Sequence, residues 1–77
     1  MLTEEQLDFL DTLETPLWTA QRLAEGLAAG EEQVKVKREI NGRRRQLTLV
    51  GKDIEHAIRY LNPKLSDWLD SRHLLKR

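Results

Sequence analysis

The chain has no cysteine, only two prolines, four scattered glycines and an aromatic content of 5% in its 77 residues. Without cysteine there is no disulfide framework, no thiolate metal site and no cysteine nucleophile. The glycines, at positions 26, 30, 42 and 51, are too dispersed to form a phosphate-cradling loop. No apolar run approaches the roughly 18 residues needed to span a bilayer, and no secretory signal is visible. The expectation is a soluble, cytoplasmic protein with no membrane association. A chain this short buries only about 60% of its unfolded surface, so residues 1–77 are expected to form one small domain with a thin core.

Charge of one sign is also missing overall, because the 13 basic and 13 acidic side chains cancel. They are nevertheless sorted along the chain. Residues 1–32 hold eight carboxylates against Arg22 alone, a net of −7, while residues 33–52 hold seven basic side chains against Glu39 alone, a net of +6. A polarised chain of this kind can offer one basic feature to an anion. It can also associate with copies of itself by charge complementarity.

Helical signals open the chain. Thr3 and Gln6 have the spacing of a capping box, with Leu2 and Leu7 at the positions of a hydrophobic staple. Leu7, Leu10 and Leu13 continue one apolar stripe, predicting a helix over 4–14. Thr15-Pro16 starts a second helix, over 16–29, with Thr15 able to cap it. Leu17, Ala20, Leu23, Ala24 and Leu27 form its stripe, and Gly30 is suited to the position just past its end. Near the C-terminus Asp53 can cap a third helix with Ile54, Ala57, Ile58 and Leu61 as its buried side. Asn62-Pro63 ends that helix and starts a fourth, whose apolar side is Leu65, Trp68 and Leu69 with Leu74 or Leu75 further on.

Between these helices lies QVKVKREI-NG-RRRQLTLV, residues 33–50. Asn-Gly is the strongest short hairpin signal, because a type I′ turn needs positive φ at both central residues. With Asn41-Gly42 as the loop, Val36 faces Leu47 and Val34 faces Leu49, all on one face. Lys35 then pairs with Thr48, Lys37 with Gln46 and Glu39 with Arg44 on the other. The expected fold is therefore α+β: two helices, a two-stranded antiparallel hairpin, then two short helices. The alternative is a mostly α helix-turn-helix protein with a recognition helix over 31–45, which would place Gly42 inside a helix at a cost of about 1 kcal/mol.

No catalytic constellation is apparent. His56 and His73 are far apart in sequence, Asp70 and His73 have the spacing of an exposed ion pair, and Ser66 and Ser71 have no neighbouring base. Glu4, Asp8 and Asp11 share a helical face but lack the mixed ligands of a metal site. The chain is read as a non-enzymatic binding protein needing neither cofactor nor metal. Its candidate site is the basic hairpin: Lys35, Lys37, Arg38, Arg43, Arg44 and Arg45. Arg38 lies opposite Arg45 in the expected register, a repulsion that a phosphate or carboxylate between them would relieve. The bland alternative is that these residues only protect strand edges from aggregation. Trp18 lies off the stripe of its helix and is a candidate interface anchor.

The stretch LAEGLAAG…VKV…NGRRR…LTLVGKDIEHAIRYL, within residues 21–61, resembles the W-type head-completion, or head–tail joining, proteins of tailed phages. The resemblance implies a phage-encoded α–hairpin–α domain acting in virion assembly, with the basic hairpin meeting DNA or a neighbouring subunit. The helix over 4–14 and the segment after Pro63 have no counterpart in it. The expected partner is thus nucleic acid, met through its phosphate backbone. The alternatives are an acidic protein surface, bound by an assembly part or a small inhibitor of a host complex, and a helix-turn-helix transcriptional regulator acting on DNA.

Overall fold

Local signals dictate most of the chain's elements. The computed structural model describes residues 1–75, with side chains through Arg72. In order they are α1 (Glu4–Asp11), α2 (Pro16–Ala28), β1 (Gln33–Ile40), β2 (Arg43–Val50), α3 (Lys52–Leu61), a 3-10 turn (Pro63–Leu65) and α4 (Ser66–Leu75). Helix, helix, hairpin, helices is the expected α+β order. Residues 31–45 hold a strand, a turn and the start of a second strand, which excludes the recognition helix over that segment and with it the helix-turn-helix alternative. Among the described residues no helix is long and apolar enough to cross a membrane.

The capping box forms as expected: Gln6 N–H donates to Thr3 Oγ1, and Thr3 N–H donates to Gln6 Oε1 at 2.7 Å. α1 stops three residues short of the expected 14, because Thr12 turns its hydroxyl back onto the Phe9 carbonyl at 2.6 Å and competes with the next helical turn. α2 begins at Pro16, but Thr15 makes no side-chain cap. α2 ends in a Schellman motif. Gly30, at φ 84°, donates to the Leu27 carbonyl, and Glu31 N–H donates to the Gly26 carbonyl. α3 is capped by Gly51 rather than Asp53, which instead sits in the first turn near the N-terminal ammonium at 3.7 Å. Asn62 caps the following turn through its side chain, accepting from Lys64 N–H.

α2 packs on α3, and the base of the hairpin lies on this pair. Leu10, Leu23, Val34, Val36, Leu49, Ile54, Ile58 and Leu69 are buried together with Ala24 and Ala57, while Leu13, Leu27, Leu47, Leu61 and Trp68 pack partly buried around them. Leu17 departs from its expected place on the stripe and is 62% exposed, since a helical stripe is buried only where a partner element covers it. The expected contribution of Leu74 or Leu75, and the expected Asp70–His73 pair, involve side chains outside the described set. Asp70 itself is bound by Arg59 at 2.6 Å.

The molecule measures 45 × 22 × 21 Å, with a radius of gyration of 12.5 Å. A compact chain of this length would have roughly 11.5 Å. The distal hairpin accounts for the excess. Its last four residue pairs extend roughly 13 Å past the buried Val36 level at strand spacing.

Candidate functional site

The hairpin closes through Asn41 and Gly42, at φ 51° and 76°, the positive pair that a type I′ turn requires. The pairing runs without slip from Gln33 opposite Val50 to Ile40 opposite Arg43, and Arg38 faces Arg45. Period-2 geometry then separates the six candidate basic residues. Lys35, Lys37 and Arg44 share the outer face with Gln33, Glu39, Gln46, Thr48 and Val50, and all eight are exposed. Arg38, Arg43 and Arg45 share the inner face with Val34, Val36, Ile40, Leu47 and Leu49.

The two faces have different electrostatic surroundings. On the inner side, α1 runs beside the distal hairpin, and Glu5 and Asp8 line an open groove of about 740 Å³ together with Ile40, Arg45 and Leu47. Arg38 Nη2 reaches Glu14 at 3.7 Å, a long pair to a carboxylate that is 86% exposed. Its Nε is buried and has no hydrogen-bond partner among the described residues. The repulsion with Arg45 is therefore only partly offset by the chain itself. The outer face has no such acidic wall: Lys35, Lys37 and Arg44 make no ion pair among the described residues.

Trp18 lies on α2 and is 67% exposed. It lines a second groove, of about 400 Å³, between α2 and β1, into which Arg38 also reaches. Trp18 and Arg38 thus belong to one depression, although 20 positions separate them in the chain. Parity along β1 could have separated Arg38 from Lys35 and Lys37 in the sequence. Nothing local could have paired Arg38 with Trp18.

Two long-range ties hold the scaffold under this site. Tyr60 on α3 donates to Asp11 Oδ1 at 2.5 Å, fastening the end of α1. That hydrogen bond, with some desolvation and the negative charges of Asp11 and Asp8, raises the phenol's pKa above its ordinary value of 10.0. Arg72 on α4 donates to the Leu27 carbonyl at 3.1 Å, satisfying the C-terminal end of α2, and lies over the Trp68 ring at 5.2 Å. Among the described residues no group of three or more His, Asp or Glu side chains comes together to hold a metal ion. No family model matches the chain, and neither a curated protein nor a solved structure does.

Proposed function

We propose that this is a small binding protein that grips duplex nucleic acid with the outer face of its β-ribbon. One observation carries the proposal: a continuous, exposed ribbon face on which Lys35, Lys37 and Arg44 have no ion-pair partner among the described residues. A two-stranded ribbon fits the major groove of B-form DNA, and its cations release counterions from the phosphates that line it. Three such contacts give an expected salt slope of about −2.7.

Titration of a fluorescent duplex at several salt concentrations tests the proposal. Replacing Lys35, Lys37 and Arg44 by Ala should flatten the slope by up to ~2.7, while Arg45→Ala should change it by no more than about 0.9. Absence of binding at low salt with tens of micromolar protein would refute the proposal.

A second reading, an assembly module in which the hairpin meets an acidic neighbouring copy, draws on the −7 and +6 halves of the chain. Such contacts would loosen as the Debye length falls to about 3 Å near 1 M salt. Light scattering at low and high salt should then report a salt-sensitive mass, and a monomer at low salt and high concentration would dispose of that reading.

A further inference from the structure

β1 has an unused edge. Gly51 N–H bonds to the Glu32 carbonyl, continuing the ladder that pairs Val34 with Leu49 and Val36 with Leu47. In an antiparallel pair bonded and non-bonded positions alternate, so the N–H and C=O groups of Lys35 and Lys37 point away from β2. Among the described residues no other hydrogen bond takes them up. An unpaired edge is a template for another strand unless charge keeps strands away.

Here the edge forms one wall of a groove. α2 supplies the other wall through Trp18 and Arg22, and β1 lines it from Val34 to Arg38. A strand edge facing a helix across a shallow cleft is the geometry in which extended peptides are captured, main-chain bonds giving affinity and side-chain pockets giving selectivity. The exposed Trp18 indole supplies a hydrophobic anchor surface. The walls are basic: Arg22, Lys35, Lys37 and Arg38 against Glu14. Arg38, only 21% exposed, still has a buried Nε–H without an acceptor among the described residues. A carboxylate could take it in the charge-assisted way that guanidinium groups favour.

We propose that this groove binds an extended acidic peptide segment of a partner protein, added to β1 as a third strand of about five residues. Trp18 covers one of its apolar side chains, and Arg38 receives one of its carboxylates. A second copy of the chain is a poor occupant, because the carboxylates of residues 1–32 lie on α1, on α2 or in short turns, and none lies on an extended strand. The groove shares Lys35 and Lys37 with the outer ribbon face, but Trp18 and Arg38 lie off that face, so the proposal does not depend on duplex binding.

The test is fluorescence anisotropy with a labelled octapeptide in which pairs of Glu alternate with pairs of Val, so that each face of the extended strand carries both side chains. Three comparison peptides have Lys in place of Glu, two adjacent central N-methyl groups, or a scrambled charge order. The acidic peptide should bind saturably, and N-methylation, which removes main-chain donors in every register, should weaken it at least about tenfold. Trp18→Ala and Arg38→Gln should each weaken it by about tenfold or more, with circular dichroism unchanged and duplex binding by Trp18→Ala intact. The Lys35 and Lys37 amide resonances should shift on binding. The proposal is overturned by no binding at about 1 mM peptide, or by equal binding of the N-methylated peptide, which would mean charge attraction alone. It is also overturned by Trp18-dependent self-association that excludes the peptide, or by a duplex that occupies the groove in a Trp18-dependent way.

Discussion

The two halves of the hairpin share one backbone geometry and one register, yet they do different work. Near the helices the inner face is Val34, Val36 and Leu49, all buried in the common core. Past that level the same face presents Arg38, Arg45 and Arg43 with Ile40, none of them buried. A single change of side-chain chemistry, at the Arg38–Arg45 pair, divides a structural anchor from a charged projection. Stability and binding should therefore respond to different mutations in the same two strands.

The harshest way to break this division is to place a charge on the anchoring side. Val36→Asp should cost about 3–5 kcal/mol, because it leaves an uncompensated carboxylate in the core. That is a large share of the roughly 4–12 kcal/mol expected for 77 residues. Urea unfolding followed by circular dichroism should show a collapsed or absent transition, and a wild-type midpoint would mean that the hairpin base does not anchor the fold. Moving the boundary outward is milder. Arg38→Leu extends the aliphatic face by one position, removes a buried N–H that has no acceptor among the described residues and relieves the repulsion with Arg45. It should stabilise the domain by about 1 kcal/mol, and a lower urea midpoint would show that the long Glu14 pair matters more than its geometry suggests.

The smallest expected effect lies outside the hairpin and serves as its control. Tyr60 has a raised pKa because it donates to Asp11. Its folded-state value lies above the unfolded one, so its contribution is complete below about pH 10 and is lost as pH rises through the folded-state value. Tyr60→Phe should remove that alkaline loss and lower the melting temperature slightly at neutral pH. Melting curves from pH 8 to 11 test this, and Tyr60, as the one tyrosine, allows phenolate absorbance to be followed directly. Identical alkaline behaviour of wild type and variant would discount the Asp11 bond.

Short-range devices were readable from the residues alone. Thr3 with Gln6, Asn41-Gly42 and Asn62-Pro63 each act within three positions, and the hairpin register follows once its turn is known. Caps were less certain, because several candidates competed: Gly51 took the role expected of Asp53, and Thr15 left its side chain out of α2. What could not be read were contacts set by packing. Tyr60 and Asp11 are 49 positions apart, and Arg72 and Leu27 are 45 apart. The candidate basic residues were identifiable as a cluster, and strand parity already divides them between two faces; that Glu5, Asp8 and Glu14 border one of those faces required the placement of α1 and the turn after it.

The graded burial along the strands also sets a gradient in how long each amide keeps its proton in heavy water. Amides opened only by global unfolding exchange slowly, and those opened by local fraying exchange fast. The N–H groups of Val34 and Leu49, beside the core, should exchange at rates near the global limit. Among the amides bonded across the strands, those of Ile40 and Arg43, next to the two-residue turn, should exchange first even though their ladder bonds are formally equivalent. The ribbon is thus firmest where it joins the helices and loosest at its turn.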